Sequence, residues 1–193
     1  MQEVFKIPAD DTNLGLSVKM FPNKGRGVIA EKAFVKGQFL VEYAGEFLTF
    51  KEWKKREKVY KEDSEIGSFV VKFKHNDKVC FLDATKETPR LGRLVNHSRV
   101  HANCNLKKVV IDQKPHIILV ASKDIESGSE IRYDYMDRDP ASLMHNPWLS
   151  KKQELKMSEN KIGRLGYVGR YRYRASGRYL PRYRYLFWEK HDL

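Results

Sequence analysis

The stretch RLVNHS, Arg93–Ser98, carries an apolar Leu-Val pair that leads directly into a polar Asn-His pair. Further along the chain, the stretch YDY places Tyr133 and Tyr135 one residue apart. Side chains at positions i and i+2 of a β-strand lie on the same face, so a strand here would present both phenols on one surface. A basic glycine-rich turn, KGRG at Lys24–Gly27, precedes both stretches. The pattern predicts a channel with the two tyrosines along one wall.

Other segments extend this pattern in a fixed order along residues 15–150. They are KGRGVIA, VEYAGE, LDATKETPRLGRLVNHS, PHIILVASKDI, EIRYDY and NPWL. Their order and spacing resemble the SET-domain protein-lysine methyltransferases, and most of all those that add one methyl group to the tail of histone H4, at lysine 20. Any one of these segments alone is a weak signal, but the series is specific.

The resemblance implies a fold, a cofactor and a partner. The fold would be mainly β with a few short helices, a SET-domain β-clip with a threaded pseudo-knot. The cofactor would be S-adenosylmethionine and the substrate the histone H4 tail, on nucleosomes in the nucleus. The enzyme would be monomeric and require no metal ion.

The resemblance also implies that Tyr135, Tyr133 and Tyr43 form the channel for the substrate lysine, with Tyr135 as the central catalytic hydroxyl. Methyl transfer from a sulfonium requires a neutral amine, and only about one free lysine in a thousand is neutral at pH 7.5. A poorly solvated aromatic channel disfavours the charged form, while hydroxyl groups orient the lone pair. A tyrosine at position 133 implies monomethylation, because its hydroxyl holds a water where a second methyl group would go. The alternative is a strand pair that only packs on the core.

A cofactor site is implied by the same comparison. Its residues would be Lys24, Gly25, Arg26, Phe69, Arg93, Asn96, His97 and Trp148. The glycine-rich turn would hold the methionine part, Asn96 and His97 the ammonium end and the adenine, and Trp148 would cover the adenine. Simpler alternatives are a basic hairpin turn, a pair of satisfied buried polar groups and an aromatic cap on the core.

The chain departs from the family pattern at two side chains and at its start. Phe69 stands where the nearest relatives carry a tyrosine, and Asn146 where they carry a histidine. Little before residue 15 corresponds to their preceding helical segment. These departures support a rival hypothesis, a catalytically weakened SET module that binds histones or chromatin. Methylation of a non-histone lysine is a further alternative.

Composition sets broader limits. Hydrophobic residues make up 41% of the 193 residues, enough for a core, and no apolar run reaches the length of a membrane-spanning helix. The start of the chain has no apolar signal-peptide region. Two cysteines, Cys80 and Cys104, make no disulfide framework or zinc cluster, so a reducing compartment such as the nucleus or cytosol is expected.

Local patterns and the resemblance predict three segments: a short, loose lead-in at residues 1–14, a SET domain with its C-flanking segment at 15–149, and a basic Arg/Tyr-rich tail at 150–193 that is expected to be disordered. Thr49 and Glu52 form a capping-box pattern that predicts a helix from there to about Tyr60, and a second helix is expected over Pro140–His145. Predicted strands run over Gly15–Met20, Gly27–Ala30, Phe39–Tyr43, Phe69–Phe73, Val79–Leu82, Ile117–Ala121 and Ile131–Tyr135. Turns are expected at Gly37 and Gly128.

The tail is unlike the rest of the chain. Of the net charge of +12, residues 151–193 carry +8, and arginine alternates with tyrosine in GRYRYR (169–174) and PRYRY (181–185). Such a segment suits contact with nucleosomal DNA through phosphates and stacking. It also suits a disordered, weakly self-associating segment, or an accidental extension without function. The family resemblance does not extend to it.

Overall fold

The computed structural model describes residues 6–21, 24–62, 69–155 and 184–185. The strands are β1 (Leu16–Phe21), β2 (Gly25–Ala30), β3 (Phe39–Glu42), β4 (Glu46–Thr49), β5 (Val70–His75), β6 (Lys78–Asp83), β7 (Asn96–His97), β8 (Cys104–Ile111), β9 (Lys114–Ala121), β10 (Glu130–Tyr133) and β11 (Arg184–Tyr185). The helices are α1 (Phe50–Glu62) and α2 (Pro140–His145), with 3-10 turns at Gly92–Leu94 and Pro147–Leu149. This part of the chain is mainly β with short helices, as predicted.

The backbone divides into two compact units. Unit 1 contains the described residues up to Ala44, together with Glu87–Asn96 and Ala102–Tyr133. Unit 2 contains those within Gly45–Lys86, His97–His101 and from Asp134 onward.

Unit 1 is built on β-hairpins. Strands β1, β2 and β10 form a sheet whose fourth strand is β7, and β3, β9 and β8 form a second sheet. Strand β8 pairs with β9 from Cys104 to Ile111, although no strand was predicted there. The turn between them, Asp112-Gln113, has positive φ at both residues, which matches the twist of a two-residue hairpin. Without a glycine in that turn, the sequence pattern missed the hairpin.

Unit 2 places helix α1 on a sheet with the strand order β11-β5-β6-β4. Trp53 is buried and stacks on Phe81 with 5.4 Å between ring centroids. The predicted capping box is present, because the Thr49 amide donates to Glu52 Oε2 at 2.8 Å and the Glu52 amide donates to Thr49 Oγ1 at 3.3 Å. Phe50 also lies against Phe81 but remains 56% exposed. The helix prediction is therefore confirmed, with Trp53 as its main buried contact.

The predicted strand over Ile131–Tyr135 is too long, because β10 ends at Tyr133. Asp134 Oδ1 accepts a hydrogen bond from the Met136 amide at 2.9 Å, and Met136 has φ of 58°. This turn directs the chain away from the sheet. The expectation that Tyr133 and Tyr135 share one face of a strand is therefore wrong. The strand predicted at Phe69 begins instead at Val70.

Other local expectations hold. Helix α2 has the predicted bounds, and Gly37 and Gly128 have φ of 87° and 84°, as turn glycines do. The expectation of a loose lead-in does not hold for its described part, because the Arg90 side chain donates to the Pro8 and Ala9 carbonyls and the Leu91 amide donates to Asp11.

Two pieces of the tail that was predicted to be disordered are described: residues 150–155, which are helical from 151, and β11, which pairs with β5 in parallel. The rest of the tail lies outside the described residues. Among the described helices, none is both long and apolar enough to cross a membrane.

Candidate active site

The glycine-rich turn forms the start of β2 in unit 1. Gly25 has φ of 73°, so the tight turn predicted from the sequence is present. Gly27 is needed for a different reason: a Cβ atom there would lie 2.4 Å from Asn96 Nδ2 and 2.8 Å from the Phe21 ring. The backbone at Gly27 is thus closely approached by the Asn96 amide.

Asn96 belongs to a polar cluster that the sequence did not reveal in full. Its Nδ2 donates to Glu130 Oε1 at 3.0 Å, and Lys24 Nζ lies 3.1 Å from Glu130 Oε2. The Glu130 side chain is only 11% exposed. Sequence reasoning missed Glu130, and only its position three residues before Tyr133 could have pointed to it. Because Asn96 donates to Glu130 through Nδ2, its Oδ1 can accept a hydrogen bond from a ligand.

Unit 2 brings three predicted rings together from three separate segments. The His97 ring centroid lies 5.0 Å from that of Tyr135 and 5.8 Å from that of Trp148, and the Tyr135 and Trp148 centroids are 6.4 Å apart. All three pairs are edge-to-face, the favoured arrangement of aromatic rings. The Tyr135 amide donates to His97 Nδ1 at 3.1 Å. A nitrogen that accepts carries no proton, so the hydrogen of the neutral imidazole is on Nε2.

The residue between the two tyrosines fixes the turn after β10. Asp134 accepts from Arg138 Nη1 at 3.1 Å, and its Oδ1 lies 3.9 Å from His97 Nδ1. Burial alone would raise the pKa of Asp134, but the Arg138 and Met136 hydrogen bonds outweigh it and hold the pKa below its usual range. Asp134 is therefore a carboxylate at neutral pH, and it supports the backbone on which Tyr135 is carried.

The other predicted residues are distributed over both units. In unit 1, Tyr43 and Tyr133 are 0% and 1% exposed, and Arg93 is buried in the 3-10 turn. Arg26, by contrast, extends outward at 45% side-chain exposure and pairs with Glu87. In unit 2, Phe69 precedes β5 and accepts a backbone hydrogen bond from Ala84 at 3.0 Å.

Within the part of the chain that the structure describes, no group of three or more His, Cys, Asp and Glu side chains is arranged to hold a metal ion. The two clusters offer hydrogen bonds, aromatic surfaces and a few charges.

Similarity to known proteins agrees with these assignments of fold. The chain is 46% identical over 136 residues to the histone-lysine N-methyltransferase Set8 of Drosophila melanogaster. The match covers 70% of this chain and 20% of that protein. It is 47% identical over 135 residues to the N-lysine methyltransferase KMT5A-A of Danio rerio, with coverage of 70% and 39%. The chain therefore spans less than half the length of these two relatives.

A solved structure and a family profile give the same result. The crystal structure of CpSET8 from Cryptosporidium matches with a TM-score of 0.59 at 38% identity, covering 65% of this chain and 59% of that one. The profile of the SET domain matches residues 25–136, from the glycine-rich turn to the residue after Tyr135. On the strength of this match, together with the mainly β fold, the chain belongs to the SET domain family.

Proposed function

We propose that this chain is an S-adenosylmethionine-dependent protein-lysine N-methyltransferase that adds one methyl group to a lysine of the histone H4 tail, lysine 20. The observation that carries the proposal is the cluster of His97, Tyr135 and Trp148, assembled from three segments within and just beyond the SET match. The two relatives described above are named as lysine methyltransferases, which supports methyl transfer to a lysine as the reaction class. A nuclear, chromatin-associated location follows from that substrate.

The residues present fit the cofactor. Trp148 is half-buried, so part of its indole remains accessible for stacking on a flat base. Asn96 donates to Glu130 and leaves its Oδ1 to accept from an ammonium group. Together with Lys24, Gly25, Arg26, Phe69, Arg93 and His97, these side chains form the proposed cofactor-binding set. S-adenosylmethionine, when bound, would supply a methyl group on a sulfonium.

The side chains of this protein have three tasks in that reaction. Tyr43, Tyr133 and Tyr135 are each at most 9% exposed. A lysine side chain beside such a buried ring would lose solvent, and its pKa would fall. The Tyr135 hydroxyl would then accept or donate a hydrogen bond that orients the amine lone pair. Orientation of this kind can contribute about 7 to 11 kcal/mol. His97 holds Tyr135 through its backbone amide.

The decisive experiment measures methyl transfer from labelled S-adenosylmethionine to recombinant nucleosomes, with the wild type beside Tyr135→Phe. We expect label on H4, its loss when lysine 20 of H4 is replaced by arginine, and a drop on the order of a hundredfold in the variant. Tyr60→Phe is the matched control, because its hydroxyl donates to Asp83 at 2.7 Å instead. Unlabelled nucleosomes with intact cofactor binding would reject the histone substrate.

One observation favours the second candidate, a weakened SET module that binds chromatin with little turnover. Phe69 lacks the hydroxyl expected from the family pattern, and loss of one hydrogen bond at such a site costs on the order of 1 to 3 kcal/mol. We expect Phe69→Tyr to raise kcat about tenfold or more if this loss limits the enzyme. If kcat stays at the wild-type value, Phe69 does not account for a weakened activity.

A further inference from the structure

The family match ends at residue 136, yet the chain continues through a described segment that returns to the loop after His97. Glu154 lies in this segment, where residues 151–155 are helical. Its Oε1 accepts a hydrogen bond from Ser98 Oγ at 2.5 Å, and its Oε2 accepts from the Arg99 and Val100 amides at 2.8 and 3.0 Å. One carboxylate thus satisfies three donors of a single loop.

A second side chain also holds the loop that Glu154 contacts. Ser98 is fully buried, and its Oγ also accepts from the His101 amide at 2.7 Å. The Ser98 hydroxyl therefore connects the two ends of the loop and donates its own hydrogen bond to Glu154. Ser98 directly follows His97, so the loop is joined to the residue that carries the imidazole.

The connection from Trp148 to Glu154 is short and capped. Ser150 Oγ accepts from the Gln153 amide at 3.2 Å, and the Ser150 carbonyl accepts from the Glu154 amide at 3.1 Å. Leu149, between Trp148 and this cap, is fully buried. These contacts leave the chain between the indole and the carboxylate little freedom.

The contacts close into a ring within unit 2. Trp148 touches His97 through its indole, His97 continues into the loop at Ser98, and the loop is held by Glu154, which returns to Trp148 through the capped turn. Burial alone would raise the pKa of Glu154, but the hydrogen bonds from Ser98, Val100 and Arg99 outweigh it and keep the pKa below its usual range. The carboxylate is therefore charged at neutral pH, and hydrogen bonds to a charged acceptor are the stronger kind.

We propose that Glu154 is a positioning residue for the cofactor site: it clamps the 98–101 loop to the segment that follows Trp148 and so fixes His97 and Trp148 relative to each other. The inference rests on the proposed function, because it concerns the same cofactor. It extends the working site beyond the SET match into a segment of the chain that the family profile does not cover.

The test compares Glu154→Ala and Glu154→Gln in the full chain, with Glu62→Ala and Glu62→Gln as controls at an exposed glutamate of α1. The first readout is the Kd for S-adenosylhomocysteine, measured by calorimetry well below the unfolding temperature. We expect Glu154→Ala to weaken binding about tenfold. Glu154→Gln should lie between it and the wild type, because the amide keeps one oxygen acceptor. The Glu62 variants should bind as the wild type does.

The second readout needs no cofactor. Hydrogen exchange of the Arg99 and Val100 amides should accelerate in Glu154→Ala and stay unchanged in the Glu62 variants. If these two amides exchange at the same rate in Glu154→Ala as in the wild type, Glu154 does not clamp the loop, whether or not the variant binds or methylates its substrate. Faster exchange with an unchanged Kd, even if the protein is less stable, would show a purely structural contact and overturn the positioning role. If the wild type does not bind S-adenosylhomocysteine, the result counts against the proposed function. The exchange rates of the Arg99 and Val100 amides then still show whether Glu154 holds the loop.

Discussion

Met136 is a non-glycine residue with a left-handed backbone conformation. Its φ of 58° lies in the left-handed region, which costs an L-residue about 1 to 2 kcal/mol. We expect Met136→Gly to stabilise the protein by about 0.5 to 1 kcal/mol, since glycine removes the strain but adds freedom to the unfolded chain. Urea unfolding measures the difference. Met144→Gly is the control: the same change within helix α2 should destabilise by about 1 kcal/mol. A loss of stability in both variants would contradict the strain at position 136.

Tyr133 offers a second test at a single atom. It is 1% exposed at the end of β10, and we predict that its hydroxyl holds a water in the place of a second methyl group. Removing that hydroxyl in Tyr133→Phe should therefore increase the dimethylated fraction of the product. Mass spectrometry of the H4 peptide after exhaustive reaction measures it, with Tyr60→Phe as the control for a lost phenol elsewhere. Monomethyl lysine as the only product of Tyr133→Phe would rule out this role.

At the scale of elements, one buried carboxylate adds to the docking of α1 that the stacking of Trp53 on Phe81 provides. Asp83, at the end of β6, accepts from Arg56 at 2.9 Å, Tyr60 at 2.7 Å and the Thr85 amide at 2.9 Å, and its side chain is 1% exposed. Burial alone would raise the pKa of Asp83, but these hydrogen bonds outweigh it and lower the pKa. Arg56 and Tyr60 belong to α1, so Asp83 fastens the helix to its sheet.

Replacing this carboxylate by an amide tests the fastening. We expect Asp83→Asn to lower the free energy of unfolding by about 2 kcal/mol at pH 7.5, because a buried charged acceptor is lost. The folded pKa lies below the unfolded one, so the stabilisation is complete above about pH 4 and fades as the pH falls through the folded pKa. Urea unfolding at pH 7.5 and at pH 3 should thus show a gap that narrows in acid. Glu62→Gln, at the exposed end of α1, should change neither value.

Elements with local signals were predictable from the sequence, and those that depend on distant partners were not. The capping box of Thr49 and Glu52 satisfies donors within one turn, so helix α1 could be predicted. Strand β8 has mixed polarity and gains its register only from pairing with β9, so it was missed. The end of β10 was misplaced because Asp134 turns the chain through its own side chain, which strand alternation does not reveal.

At the scale of the whole molecule, the residues of the candidate site also divide into those that the sequence could identify and those that depend on distant partners. The family motifs identified His97, Tyr135 and Trp148, and the structure brings their rings together. Glu130 and Glu154 contact motif residues from 34 and 56 positions away along the chain. Glu130 opens the EIRYDY segment, but that segment does not reveal its contact with Asn96, and Glu154 belongs to none of the family segments. By itself, a glutamate in a sequence indicates only surface charge. The supporting carboxylates of a site are therefore found only once the chain is folded.

The uneven charge of the molecule leads to the last prediction, that the tail contacts nucleosomal DNA. Arg170, Arg172 and Arg174 fall in the most basic stretch of the tail, outside the described residues. If they neutralise phosphates, changing all three to glutamine releases fewer counterions on binding. The slope of log K against log salt should then become shallower by about 2 to 3.

A control triple removes the same charge elsewhere. Lys107, Lys114 and Lys123 are exposed on unit 1, and their change to glutamine lowers the net charge of +12 by the same amount. Nucleosome binding measured from 50 to 200 mM salt distinguishes the two cases. Equal slopes for both triples would mean that net charge alone attracts the nucleosome. A slope that only the tail triple reduces would assign the phosphate contacts to the alternating arginines, because a diffuse field responds to total charge and a contact responds to position.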